Sequence, residues 1–320
     1  MHKKPDFTKA IYGMCFVLLC TGIAGNFFKK NGKNLKEVQT ALLNPKYAAE
    51  VNSIRIRHKN GQNELILRKT DFVPAMWTGE YTDTRDRKIL FPADKGQIAA
   101  LLDVSRKVRI MYIISDNNAQ NMHKSPFFEP NDDFFGFEFL RDERLFSRFY
   151  VQKGENAAKT LISTDTGKIY AADGDLSTFL SYPALWADGT LFSDYARGGK
   201  SRDEVQKLVY SVYEAGGNLY TQKTFASGDT GFEKAVYNVF SARTSKIGAK
   251  PHTSFFAESK KSYEIRAVFS NGENTGIFIY PAGDTFIVVP SVLDYALEIS
   301  AWTAANIGID ISAAPEVQAY

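Results

Sequence analysis

Apolar positions along this chain fall into three patterns: one unbroken run near the N-terminus, several stretches that alternate residue by residue, and two that recur at helical spacing. In Val51–Lys69, Ile54, Ile56 and His58 alternate with polar residues, and Leu65 and Leu67 resume the alternation after Asn60-Gly61. Period-two alternation around an Asn-Gly turn predicts a β-hairpin. The pattern returns in Val205–Lys223, 154 positions later, where Leu208, Tyr210 and Leu219 stand for Ile54, Ile56 and Leu65 and Gly216-Gly217 supplies the turn. After each hairpin the period changes to that of a helix: Ile98, Leu101, Leu102 and Ser105 share a face in Lys95–Val108, and Phe232, Ala235, Val236, Val239 and Phe240 do so in Gly231–Ile247. Asp94 and Asp229 are the expected N-caps.

Strands are predicted after each helix: Phe137–Leu140, Leu145–Val151, Thr160–Ser163 and Lys168–Ala172 in the first half, then Tyr263–Phe269, Thr275–Tyr280 and Thr285–Pro290 in the second. Each half closes with an expected helical turn and a tryptophan, at Trp186 and at Trp302. The expected fold class is therefore α+β: an N-terminal transmembrane helix followed by two ββαβββα repeats with antiparallel sheets. The expected divisions are a leader (1–9), an anchor (10–28), a juxtamembrane linker (29–50), a first repeat (51–190), a Gly- and charge-rich linker (191–204), a second repeat (205–310) and a tail (311–320).

The unbroken run is Ala10–Phe28, in which Ala10–Gly25 carries no charged or amide side chain. A bilayer core of roughly 30 Å needs about 17–25 such residues in a helix. An uncleaved, single-pass anchor is the expectation. Small residues at Gly22 and Ala24 also suit cleavage as a signal peptide, and Cys20 offers a lipid-attachment site, although bulky Leu19 precedes it. Three lysines lie before the run (Lys3, Lys4, Lys9) and four after it (Lys29, Lys30, Lys33, Lys36), so charge alone sets no orientation. A short leader ahead of a first span stays inside by default, which places the body outside the inner membrane.

Composition narrows the chemistry. The chain is 44% hydrophobic and 13% aromatic, enough for a packed core. Net charge is +3 and no basic stripe is present, which argues against nucleic acid. The only cysteines, Cys15 and Cys20, lie in the apolar run, so the body holds no disulfide or thiol nucleophile. His58, His123 and His252 are far apart and without metal-ligand spacing. Asp116, Glu129, Asp132 and Asp133 lack calcium-loop spacing. Gly199-Lys200-Ser201 ends like a phosphate-binding loop, but Asp194 stands where the motif needs its first glycine, so a flexible linker is expected there. No catalytic, cofactor-binding or metal-binding residue is assigned. Trp186 and Trp302 are expected in the core. Trp77, in the loop-like stretch 72–83, is the better surface candidate, together with Tyr81, Phe127 and Phe128 as a partner surface.

The succession of the apolar run, the V-x-x-I-x-I-x4-G-x3-L-x-L pattern of Val51–Leu67, Trp77, Pro92-Ala93-Asp94 leading into Ile98–Leu102, and the Lys168–Ala172 strand before Leu176–Leu180 resembles a bacterial family, domain of unknown function 4340. The resemblance extends over roughly Val51–Ile309 and departs from the family pattern at Ser125–Pro130. It rests on diffuse strand and helix patterns, and the family supplies no catalytic residues to carry over. Members are often encoded beside ABC transporters of the gliding-motility type. The resemblance thus implies a non-catalytic, membrane-anchored extracytoplasmic accessory protein whose partners are ABC permease and ATPase subunits. Two alternatives remain open: a solute- or polymer-binding envelope lipoprotein, and an envelope hydrolase using carboxylates such as Asp132 or Glu138.

Overall fold

A computed structural model of the chain describes residues 41–58, 64–71, 74–115, 134–153, 160–164, 169–176, 178–179 and 182–310. After a one-turn helix, α1 (Pro45–Ala48), the chain forms β1 (Ser53–His58) and β2 (Leu65–Lys69), then a second hairpin of β3 (Trp77–Thr82) and β4 (Lys88–Pro92). Helix α2 (Lys95–Lys107) leads to β5 (Ile110–Ser115), the meander β6 (Phe134–Arg141), β7 (Arg144–Lys153), β8 (Thr160–Thr164), β9 (Ile169–Ala172), and the short α3 (Pro183–Trp186). The second half runs through a 3-10 turn (Arg202–Glu204), β10 (Val205–Glu214), β11 (Leu219–Ala226), α4 (Phe232–Ser241), β12 (Ile247–Gly248) and α5 (Thr253–Glu258). It ends with the meander β13 (Lys261–Phe269), β14 (Asn274–Ala282), β15 (Thr285–Pro290), β16 (Ala296–Ser300) and α6 (Ala301–Asn306).

These strands make two antiparallel sheets, ordered β4-β3-β2-β1-β6-β7-β8-β9-β5 and β11-β10-β13-β14-β15-β16-β12. Apart from the extra hairpin β3–β4, the two orders are the same. A hairpin, a helix and a short edge strand precede a four-stranded meander, whose first strand pairs with the hairpin (β1 with β6, β10 with β13) and whose last pairs with the edge strand (β9 with β5, β16 with β12). The registers agree as well: Ile56 faces Phe137 in the first sheet, and Tyr210 faces Ile265 in the second.

The expected α+β fold of a transmembrane helix and two ββαβββα repeats is corrected. The described chain is mostly antiparallel sheet, and of its six α-helices only α2 (13 residues) and α4 (10 residues) exceed two turns. Five strands were missing from the expectation, each for a physical reason. Trp77–Thr82 is β3 rather than a loop, its strand character masked by Gly79 in the middle. Lys88–Pro92 (β4) follows it, and Ile110–Ser115 (β5) is a short continuous apolar run, a pattern that periodicity does not resolve. Ser291–Trp302 contains β16, in which Ala296, Leu297 and Ile299 are all buried, so packing overrides the helical preference of Ala-Leu-Glu. The two-residue β12 is below the length that any periodicity could reveal. Helix α4 stops at Ser241, well short of Ile247, and its N-cap is Gly231 at φ 87°; Asp229 instead accepts a bond from Ala226 N at 2.7 Å. Asp94 does cap α2, accepting from Gly96 N at 2.7 Å and Gln97 N at 3.2 Å. Among the described residues no helix is long and apolar enough to cross a membrane; the run Ala10–Phe28 lies outside them.

Each sheet buries one face. Ile54, Ile56, Leu65, Leu67, Phe137, Phe139 and Phe149 are all at or below 1% exposure, and the aromatic rings of Phe137 and Phe139 stack on Phe149 at 5.5 and 5.7 Å. Burial of each such side chain contributes about 1.5–3 kcal/mol. The same apolar cluster continues through Leu191 and Phe192 into Leu208, Val239, Ile265 and Ile279 of the second half. The two sheets therefore share a core.

Candidate functional site

The segment between the sheets, expected as a flexible linker, is built into that core. Asp94 N donates to Trp186 O (2.7 Å) and Asp188 N to Pro92 O (2.8 Å), tying the segment to the first sheet. Leu191 N donates to Ala242 O (3.0 Å) and Thr244 N to Gly189 O (2.9 Å), tying it to the second. Gly189 is required for that approach, since a Cβ there would meet Thr244 O at 1.9 Å. Phe192 stacks on Phe240 at 5.0 Å with an interplanar angle of 9°. Gly199-Lys200-Ser201 is equally engaged. Gly199 sits at φ 78° against Pro74, Lys200 pairs with Glu273 and lies 5.5 Å above the Phe269 ring, and Ser201 caps the 3-10 turn.

Where this segment passes β3 and α2 it leaves a cleft of about 410 Å³. One wall is apolar, from Pro74, Met76 and Trp77; the other carries Asp188, Asp194, Arg197 and Arg243. The charged groups are largely spent on one another. Lys95 Nζ lies 2.5 Å from Asp194, Arg197 pairs with the same carboxylate, and Arg197 also donates to Phe192 O (3.1 Å) and Lys200 O (2.5 Å). Burial alone would raise the Asp194 pKa, but Lys95 and Arg197 outweigh it and hold the carboxyl below its ordinary value. Asp188 accepts from Thr190 N (3.1 Å), Thr190 Oγ1 (2.7 Å) and Asp194 N (3.2 Å). Arg243, exposed at the cleft's rim, has no ion pair among the described residues. The cleft thus offers a flat apolar surface at Trp77 and one uncommitted guanidinium.

Of the partner-surface residues, Trp77 is half-buried at the start of β3 and lines this cleft. Tyr81 lies on the same face of β3 but turns toward the core, its ring 5.9 Å from Phe91 in an edge-on arrangement; burial, and then the Asp83 charge, raise its pKa. Gly79 between them makes room for the Phe91 ring, which a Cβ would approach to 2.2 Å. Phe127 and Phe128 lie outside the described residues, as do His123 and the acidic residues Asp116, Glu129, Asp132 and Asp133. His252 is exposed and caps α5. Trp186 is fully buried as expected from its position, whereas Trp302, expected in the core, is 75% exposed on α6.

Glu138, offered as a hydrolytic carboxylate, is 6% exposed on the outer face of the first sheet. It accepts from Arg57 Nη2 at 2.6 Å and Arg148 Nε at 2.9 Å, with Arg55 at 3.8 Å. The second sheet has its own buried carboxylate on that face, Glu264, which accepts from Arg266 (2.6 and 3.0 Å) and from the Tyr213 hydroxyl (2.8 Å). The bond from Arg266 to Glu264 raises the arginine's pKa. These side chains cross-link neighbouring strands. Sequence reasoning missed Arg197, Arg243 and the carboxylate Asp194 as cleft residues, because only the close approach of the two sheets brings them to Trp77. The chain matches no protein-family model, no curated protein and no solved structure.

Proposed function

We propose that this chain is a membrane-anchored extracytoplasmic recognition protein, acting without catalysis as accessory subunit of an ABC-type export or envelope machine. The run Ala10–Phe28 would hold it in the inner membrane, and permease and ATPase subunits would be its partners, as the resemblance to domain of unknown function 4340 implies. The observation that carries the recognition reading is the cleft at Trp77. Asp94, Asp188 and Asp194 are engaged in capping and ion pairing, which leaves an aromatic face and Arg243 to meet a partner. Aromatic and arginine side chains are the residue types that dominate protein interfaces. The solute-binding alternative draws on the same cleft: at about 410 Å³ it falls within the size range of small-ligand sites, and Arg243 would select a carboxylate or phosphate.

Crosslinking and affinity purification from detergent-solubilised native membranes separates the two. Recovery of permease and ATPase subunits in fixed ratio, reduced by Trp77→Ala or Arg243→Glu, supports the accessory role. Recovery of the chain alone removes it and leaves the solute-binding reading.

A further inference from the structure

The shared strand order exposes a difference between the halves. In the first sheet β2 is covered by β3, with Leu65 facing Tyr81, Leu67 facing Gly79 and Lys69 facing Trp77. Its counterpart in the second sheet, β11, has no such neighbour among the described residues and forms the edge. Six of its eight residues are exposed, Leu219 and Tyr220 among them. Exposed edges are usually shortened or broken by proline. The edge strand β12 has two residues and β4 ends in Pro92, but β11 spans eight residues without a proline. Ser227 N donates to Gln206 O at 2.8 Å, and the alternation of an antiparallel ladder then turns the backbone N–H and C=O of Gln222 and Thr224 toward the open edge, while those of Ala226 are taken up by Asp229.

The inner side of this edge is also unfilled. Where Trp77, Tyr81 and Phe91 cover the first sheet, the second has a cleft of about 350 Å³, walled by Tyr210, Phe225 and Ala235. Its only charged lining residues are Lys223 and Lys234. Lys223 lies 4.4 Å above the Phe225 ring, and neither lysine has an ion pair among the described residues.

We propose that β11 is a strand-addition site, which takes an extended segment of a partner protein antiparallel to the edge, as β3 lies on β2. Backbone groups of Gln222 and Thr224 would supply the ladder. The inward side chains of the incoming segment would be aromatic or aliphatic, with a carboxylate reaching Lys223 and Lys234. A second copy of the chain fits less well, since β11 carries no acidic residue and would bring another Lys223 to the cleft. The proposal concerns the edge of the second sheet and does not depend on the reading of the Trp77 cleft.

The probe is a labelled nine-residue peptide with the sequence of residues 75–83, which alternates Trp77, Gly79 and Tyr81 and carries Glu80 and Asp83. It is titrated with the full-length chain in detergent micelles, with fluorescence anisotropy as readout. Saturable binding is expected. N-methylation of alternate peptide bonds, or Thr224→Pro in the protein, is expected to weaken it at least about tenfold, and Lys223→Glu to weaken it about fivefold. Circular dichroism checks that Thr224→Pro is folded; should it not fold, the N-methylated peptide and Lys223→Glu decide. No saturable binding overturns the proposal, as does binding indifferent to Lys223→Glu and N-methylation. Self-association of the chain that the peptide displaces would overturn the choice of a heterologous partner.

Discussion

Trp186 and Trp302 each follow an apolar stretch near the end of one half of the chain. Trp302 comes directly after β16, whereas Trp186 lies on a separate helix well after β9, the counterpart of β16. Trp186 is fully enclosed, its ring 6.0 Å from Phe179, while Trp302 points outward from the first turn of α6. What separates them is the element each belongs to. Trp186 ends a one-turn helix pinned between α2 and the segment joining the two sheets, whereas Ser300 caps α6 and leaves position 302 on the helix's outer side. Trp186→Ala is expected to cost about 3–5 kcal/mol, and Trp302→Ala within about 0.5 kcal/mol. Urea unfolding of the two variants checks this, and equal losses would contradict the assignment. The residue pattern alone could not make this distinction, because each tryptophan follows a comparable run of apolar neighbours. The alternation of Ile54, Ile56, Leu65 and Leu67, by contrast, reported burial faithfully, since a half-buried strand writes its two faces into consecutive residues.

Elements were legible where one face is wet. The hairpins β1–β2 and β10–β11 and the helix starting at Lys95 announce themselves by period and, for the helix, by the Asp94 cap. Strands β5 and β16 did not, because Ile110–Ser115 is a continuous apolar run with no alternation to read, and Ala296–Ser300 opens on residues of helical preference. The hairpin β3–β4 hid for another reason: Gly79 reads as a loop residue, yet it sits at mid-strand so that the Phe91 ring from β4 can lie across it. Gly79→Ala would drive a Cβ into a ring that is itself fully buried and has nowhere to move. The expected cost is about 1–3 kcal/mol, concentrated on this hairpin. Hydrogen exchange should show faster exchange in 77–82 and 88–92 with β13–β15 unchanged; uniform acceleration across the chain would place the strain elsewhere.

At the scale of the whole molecule, the two sheets act as one body because the segment between them is threaded into a common core and locked by charge. Little of this was legible from the sequence, in which Gly198-Gly199 and the surrounding charges have the composition of a linker. The lock is Asp194, faced by Lys95 from α2 and by Arg197 from its own loop, with Asp188 accepting its backbone N–H. Its pKa is lowered in the folded chain, so the pairing contributes stability that is complete above the unfolded value of about 4 and is lost as pH falls through the folded value. Because the carboxylate is partly exposed, solvent screens the pair and the effect is modest. Asp194→Asn is therefore expected to be less stable than the parent at pH 7 and to lose less on acidification to pH 3, so that the two curves converge. Calorimetry at each pH should show one transition for the parent at pH 7 and an earlier or broadened one for the variant. Parallel losses on acidification would mean that the sheets are held together by Leu191, Phe192 and the shared apolar core alone.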